Sequence, residues 1–364
     1  MKSFGNAPEQ DGAKRLLESA LAEGPVHAYL FHGPAGVGKR AAALSFASKL
    51  IGDEDRVPRL THPDLYVLEP LGDQIRIDEI RRLRRDLHMR PYEAERRVYL
   101  VLSAELMNEE AADALLKDLE EPPPYAVLIL VAHDLGPLPP TILSRCQLVP
   151  FRRLSETAVR AAIAERAPGL DDAQLTAYAR VSAGRLDRAE RLLDPRAAER
   201  RALVLDLARS VYRDADFEPS DAAAALLEVA QGRGREARGE EELGLERLEL
   251  TTREAEQRLR RAQRGAEREE ILLALDELAG WYRDLVVVTA GAERAAIHCD
   301  RLDELREDAT LERMAGAEAA AERVRDTWRS FEEFNVQTGL ALEALFVQLR
   351  RELSAGVTTA TASV

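Results

Sequence analysis

The residues with the clearest chemistry belong to a glycine-rich loop that could hold a phosphate. The run GPAGVGKR, residues 33–40, contains the spacing G-x-x-x-x-G-K. Glycines let backbone N–H groups surround an anion, the following helix directs its positive end at it, and the lysine reaches the outer oxygens. The predicted nucleotide-binding or phosphate-binding residues are Gly33, Gly36, Val37, Gly38, Lys39 and Arg40.

The ligands that would hold magnesium beside such a loop are missing from the sequence. Arg40 stands where a serine or threonine hydroxyl normally binds Mg²⁺, and it adds a positive charge there. The apolar run that should end in acidic residues ends instead at Leu102 and Ser103. Glu105 lies further on, where we expect a solvated or capping residue, with rescue of the metal site as the alternative. The sequence therefore predicts binding of ATP, ADP or another anion without productive Mg²⁺, and no metal site.

Short apolar runs that alternate with helical patterns must position this loop. The five predicted strands are residues 27–31, 64–68, 97–102, 126–131 and 147–151. Nearly continuous apolar strands separated by amphipathic helices, such as 77–87 and 108–120, are typical of a parallel sheet covered on both faces. We predict a doubly wound α/β domain over residues 1–152, with the loop directly after the first strand.

The rest of the chain has helical patterns. We expect a small helical domain over residues 153–196, a larger helical domain over 197–354 and a flexible tail over 355–364. Glycines at 232, 234, 239 and 244 predict a flexible loop in the first part of 231–268, followed by a solvated helix over 248–270. A last long helix over 328–353 carries an apolar stripe that includes Phe331 and Phe334.

Composition excludes several classes of protein. The net charge of −14 over 364 residues disfavours nucleic-acid binding by a pervasive positive field. An arginine-rich helix over residues 76–90 is a secondary DNA-contact candidate, although interleaved acids favour a solvated face. Cys146 and Cys299 lack partners at metal spacing, and neither a leader nor a membrane-spanning run is visible. These observations predict a cytoplasmic protein with no membrane association.

Two longer motifs carry a family resemblance. The segment ALLKDLEEPP, residues 114–123, and the triplet Ser144-Arg145-Cys146 resemble the delta-prime subunits of the bacterial sliding-clamp loader of DNA polymerase III, which belong to the AAA+ superfamily. Residues 27–31, 61–64 and 339–346 fit the same family in the same order. The resemblance implies an AAA+ P-loop domain followed by a helical lid (153–196) and a helical collar (197–354) through which subunits form a hetero-oligomer.

The resemblance also implies residue roles and partners. Arg145 matches an arginine finger that reaches the γ-phosphate of ATP held by a neighbouring motor subunit; its alternative role is a structural ion pair at a domain edge. The implied partners are the motor and delta subunits, the sliding clamp indirectly and primed DNA within the assembly. Asp187 replaces the expected sensor arginine, for which Arg185 or Arg188 is a candidate substitute, and the γ-phosphate sensor falls near Ala132 or His133.

The sequence is compatible with three functions. The preferred one is a non-motor stator subunit that is not catalytic alone and belongs to a polymerase holoenzyme only by association. The second is an autonomous or motor-type P-loop ATPase with rescued metal ligands. The third is a DNA-binding scaffold, which the acidic composition makes the weakest of the three.

Overall fold

The computed structural model describes residues 8–70, 74–245, 251–334 and 336–358. The chain divides into two compact units. The α/β unit comprises Met1–Ala162 with Ala183–Arg188, and the helical unit comprises Ile163–Ser182 with Ala189–Val364. The phosphate loop and Asp187 therefore belong to the same unit.

The α/β unit is built on a five-stranded parallel sheet. Its strands are β1 (Ala28–His32), β2 (Leu65–Leu68), β3 (Arg97–Val101), β4 (Ala126–Ala132) and β5 (Gln147–Pro150). Their order is β2-β3-β4-β1-β5, and every neighbouring pair is parallel. This confirms the predicted doubly wound parallel sheet, and each strand lies within one residue of its predicted bounds.

Alternation along β1 explains why the strands are apolar on both faces. Tyr29 and Phe31 pack into one core cluster, together with Phe46. Ala28 and Leu30 point to the opposite face, into a second cluster. Because successive strand side chains alternate between faces, a sheet covered on both sides needs an apolar residue at every position.

Five helices are interleaved with the strands of the α/β unit, one before β1 and one after each of β1 to β4. They are α1 (Asp11–Glu23), α2 (Lys39–Ile51), α3 (Ile77–Leu87), α4 (Glu109–Glu120) and α5 (Pro140–Leu143). Asn108 begins α4 as its cap, because its side chain accepts a hydrogen bond from the Ala111 N–H. Three shorter helices come next in the chain: α6 (Glu156–Arg166), α7 (Asp172–Val181) and α8 (Leu186–Arg191).

The helical unit contains the six remaining helices of the described chain. They are α9 (Pro195–Arg213), α10 (Pro219–Leu245), α11 (Thr252–Thr289), α12 (Leu302–Asp308), α13 (Leu311–Glu333) and α14 (Thr338–Thr358). Their apolar faces share one core that includes Trp281 and Phe346, both fully buried. Over the described residues, no helix is both long and apolar enough to cross a membrane.

The flexible loop predicted from glycines 232–244 is wrong. α10 runs unbroken through all four of these glycines. At Gly234, an added Cβ would lie 2.5 Å from the Glu267 Cγ of α11. Close packing of α10 on α11, with Leu226 and Ala230 buried, thus overrides the low helix propensity of glycine. The predicted start of the next helix at Leu248 lies outside the described residues, and α11 begins at Thr252.

The single helix predicted over 328–353 is also wrong, because two helices cover this stretch. α13 ends at Glu333 and α14 begins at Thr338. Phe331 is buried as predicted, whereas Phe334 at the break is 65% exposed. α14 continues to Thr358, and the rest of the predicted tail, residues 359–364, lies outside the described chain.

A further break separates α7 from α8. Ala183 and Gly184 have φ values of 49° and 79°, in the left-handed region that ends a helix. An added Cβ at Gly184 would lie 2.6 Å from the Leu154 carbonyl oxygen, so the chain can turn here only without a side chain. The division into three domains at 152 and 196 stays a prediction.

Candidate functional site

The predicted phosphate loop lies between β1 and α2, as its spacing requires. Gly33, Gly36 and Gly38 have φ values of 131°, 69° and 92°. A Cβ at Gly33 would lie 2.1 Å from the Phe151 carbonyl oxygen. The backbone thus takes a course that residues with a side chain could not follow here. Val37 is fully buried, so its side chain belongs to the core and is not available to a ligand.

Lys39 begins α2 but is turned back onto its own loop. Its Nζ donates hydrogen bonds to the carbonyl oxygens of Gly33 and Pro34, each at 2.5 Å, and the residue is 4% exposed. Burial lowers the pKa of Lys39 to about 8, although the charges of Glu105 and Asp187 oppose that shift. The cation that should reach a phosphate is therefore occupied by backbone oxygens.

Arg40 is neutralised by a carboxylate that follows the edge strand β2. Its Nη2 lies 2.6 Å from the Glu69 Oε1, directly after β2. A guanidinium cannot bind a metal ion, and this ion pair stands where a hydroxyl ligand would be needed. The residues present at this position do not fit Mg²⁺.

The end of β3 supplies no metal ligand close to the strand. Leu102 is 7% exposed, and Ser103 has a left-handed φ of 53° before a short 3₁₀ turn, Ala104–Leu106. Glu105 lies in that turn, and its Oε2 is buried without a hydrogen-bond partner among the described residues. Glu105 is thus half-buried, not solvated as predicted, and its charge acts on Lys39.

Asp187 lies directly on the phosphate loop. The N–H groups of Leu186 and Asp187 donate to the Gly36 carbonyl oxygen at 2.8 Å and 3.4 Å. A Cβ at Gly36 would lie 1.7 Å from the Asp187 Oδ1. Arg185 holds the same carboxylate through Nε at 3.2 Å and Nη2 at 2.7 Å. The segment in which a sensor arginine was expected therefore presents a carboxylate and an arginine that already binds it.

Two histidines complete the surroundings of the loop. Burial and the positive charge of Lys39 lower the pKa of His32 at the end of β1. Burial and Lys39 also lower the pKa of His133, which follows β4, although Glu105 acts in the opposite direction. Both imidazoles are therefore neutral at pH 7. Ala132 is fully buried and carries no polar group, so His133 is the polar candidate for the sensor position.

Arg145 lies between α5 and β5, away from the loop residues in sequence, and its side chain is 33% exposed. Its Nη2 donates to the Glu120 Oε1 at the end of α4, and its Nη1 donates to the Thr141 carbonyl oxygen at 3.0 Å. The structure thus contains the ion pair that was the alternative role of this arginine. Its role towards a neighbouring subunit stays a prediction.

Sequence reasoning missed three carboxylates that act on these groups. Glu69 neutralises Arg40, Glu120 pairs with Arg145, and Asp187 contacts Gly36. A signal existed for Glu69, because acidic residues at the carboxyl ends of parallel strands meet at one sheet edge. Asp187 had been noted only as the loss of an arginine, and nothing in the sequence showed that it contacts the loop.

Comparison with known proteins places this geometry in context. A family model described as DNA polymerase III, delta subunit, matches residues 9–155. The DNA polymerase III subunit delta' of Pseudomonas aeruginosa is 43% identical over 135 residues, which are 33% of this chain and 41% of that protein. The subunit delta' of Bacillus subtilis is 33% identical over 165 residues, covering 42% of this chain and 50% of that protein.

These matches are confined to part of each protein. The chain spans at most about half the length of these curated relatives. Among solved structures, a DNA polymerase III gamma subunit-related protein from Thermotoga maritima aligns with 94% of this chain and 99% of its own, at 17% identity and a TM-score of 0.47. The family model over residues 9–155 and the two subunits delta' confirm the predicted resemblance to the clamp-loader delta-prime subunits of DNA polymerase III.

Proposed function

We propose that this chain is a non-motor subunit of a bacterial clamp loader. In this role it helps to place the sliding clamp on primed DNA and lends Arg145 to the ATP site of a neighbouring motor subunit. The observation that carries the non-motor part is the loop itself: Arg40 is paired with Glu69, and the residues that follow β3 are Leu102 and Ser103. A P-loop without these oxygen ligands has no means of holding Mg²⁺.

The surroundings of Arg145 support a role in trans. Glu120 is half exposed, so the ion pair lies at an accessible edge of the α/β unit. A guanidinium in such a pair can exchange a carboxylate for the more highly charged γ-phosphate of a bound nucleotide. The proposed partners are the motor and delta subunits in a hetero-oligomer, with the clamp contacted indirectly.

The test is ATP hydrolysis by a loader reconstituted from this chain and the motor and delta subunits of the same organism. Arg145→Ala should lower hydrolysis at the neighbouring site by on the order of 10³-fold, the usual effect of removing an arginine finger. Arg145→Lys should restore little of it, because an ammonium lacks the planar fork.

Glu120→Ala is the matched control. It breaks the same ion pair but leaves the guanidinium available, so hydrolysis should stay close to that of the wild type. Equal losses in Glu120→Ala and Arg145→Ala would show that the pair is structural, and the proposed finger would be wrong.

A second candidate, an autonomous ATPase, is favoured by one observation. Glu105 has a buried, unpartnered oxygen and is close enough to raise the pKa of Lys39. It could in that case act as the rescue ligand. Mg²⁺-dependent ATP turnover by the isolated chain, abolished by both Glu105→Gln and Lys39→Ala, would establish this function over the non-motor one.

A further inference from the structure

An acidic side chain from another segment of the chain, Asp187, lies directly against the central glycine of the phosphate loop. Asp187 approaches Gly36 so closely that the glycine cannot be replaced without moving the carboxylate, since a Cβ would lie 1.7 Å from Oδ1 and 2.7 Å from Oδ2. Two N–H groups of the same segment bind the Gly36 carbonyl oxygen. The contact is therefore made by backbone and side chain together.

The Asp187 carboxylate is fixed in this position. Arg185 binds both of its oxygens, and the Arg188 N–H donates to Oδ1 at 2.8 Å. The turn at Ala183 and Gly184, both with positive φ, directs residues 185–188 towards the phosphate loop. A side chain with these contacts loses little further entropy by remaining beside the loop.

Two carboxylates act on the lysine that should reach a phosphate. Glu105 and Asp187 raise the pKa of Lys39 and Arg185 lowers it, while the Lys39 Nζ is used by the carbonyl oxygens of Gly33 and Pro34. A phosphate placed in this loop would meet two carboxylates, and its lysine would first have to break two hydrogen bonds. Like charges at close range repel each other, so both carboxylates oppose a bound phosphate.

We propose that Asp187 is the specificity-determining residue of the phosphate loop, and that its carboxylate makes the loop reject polyphosphates. This deepens the proposed function, since it rests on the same loop and names what keeps nucleotide out. The glycine cradle retains its shape, and the exclusion is caused by charge. Neutralising this one carboxylate therefore creates an anion site in the present backbone.

Equilibrium binding of ADP and of inorganic pyrophosphate, without Mg²⁺, tests this on the full chain by calorimetry. Asp187→Asn should bind both at least about tenfold more tightly than the wild type, because a like charge has been removed. Adding Lys39→Ala should abolish the gain, which locates it in the loop. Asp78→Asn removes an exposed carboxylate from α3 of the same unit and should leave binding unchanged.

Two results would overturn the proposal. One is tight ADP binding by the wild type, and the other is unchanged binding in a folded Asp187→Asn. If Asp187→Asn does not fold, Arg185→Ala replaces it, because this variant keeps the Asp187 carboxylate and removes its cation. Arg185→Ala should weaken the residual binding of pyrophosphate. Unchanged pyrophosphate binding in Arg185→Ala would contradict the proposal. The outcome is separable from that of the non-motor role, which is read from Arg145→Ala in the assembled loader.

Discussion

The phosphate loop and the centre of the helical unit both bury charged groups, but the two regions differ in how completely those groups are paired. In the helical unit, the fully buried His298 donates to Asp284 at 2.9 Å through Nδ1 and to Glu277 at 2.8 Å through Nε2. Arg201 then joins Glu277 to Asp300. At the loop, by contrast, one Glu105 oxygen has no hydrogen-bond partner within the described part of the chain, and the pKa of Lys39 is lowered.

This difference separates charge used for stability from charge placed for binding. A buried network stabilises one conformation only when every member is satisfied. Groups that are buried, charged and incompletely paired are typical of sites that contact ligands or partners. Under this interpretation, breaking the network in the helical unit should cost stability, and changing the loop should affect mainly binding.

The largest expected effect is that of Arg201→Ala. It removes the guanidinium from the buried Glu277, which keeps only His298, and from the partly buried Asp300, so the free energy of unfolding should fall by about 3–5 kcal/mol. Urea denaturation followed by circular dichroism measures this. Arg196→Ala on the same helix, α9, is the control, since that side chain is 72% exposed and its loss should cost at most about 1 kcal/mol. Equal losses would remove the distinction between the regions.

A pair of glycines on α11 gives the next largest effect. At Gly280 an added Cβ would lie 2.7 Å from the His298 Cε1, so Gly280→Ala should destabilise the chain by about 1–3 kcal/mol through displacement of the imidazole. Gly265 has nothing within 4 Å, so Gly265→Ala should instead stabilise the helix by up to about 1 kcal/mol. Thermal unfolding of the two variants should shift in opposite directions. A stable Gly280→Ala would show that the network tolerates rearrangement.

The pH dependence of unfolding tests the network through His298. Burial lowers the pKa of His298, but its hydrogen bonds to the carboxylates of Asp284 and Glu277 outweigh burial and raise it above its ordinary value. A raised pKa means that the folded state binds this proton more tightly, so the stabilisation is complete below about pH 6.5 and is lost as pH rises through the raised pKa. His298→Gln should remove this part of the pH dependence. An unchanged profile would mean that His298 is not protonated in the network.

The smallest expected effect is that of Lys39→Met on stability. The variant loses two hydrogen bonds to backbone oxygens, but it also removes a buried cation whose charged form is disfavoured. These effects oppose each other, so the free energy of unfolding at pH 7 should change by no more than about 1 kcal/mol. Denaturation curves of the two proteins should nearly coincide. A loss comparable to that of Arg201→Ala would place the loop among the stabilising regions.

Sequence patterns predicted the elements that depend on local periodicity. The bounds of α3, Ile77–Leu87, were predicted without error, because its apolar residues recur at helical spacing. The glycines of α10 misled the prediction, since α10 packs on α11, and at Gly234 the Glu267 side chain of α11 lies directly against the helix. The contact of Asp187 with Gly36 was equally inaccessible, because no pattern relates residues so distant in sequence. Local signals thus predicted the cradle, and tertiary contacts decided its chemistry.

The length of α11 has a mechanical consequence. Its 38 residues form one continuous helix, which at 1.5 Å per residue extends about 57 Å. The residues of the buried network, Glu277 and Asp284, lie in its second half. A continuous helix transmits a displacement along its axis, so a movement of its first turns would displace Glu277 and Asp284. The hydrogen bonds of these two residues to His298 would resist that movement.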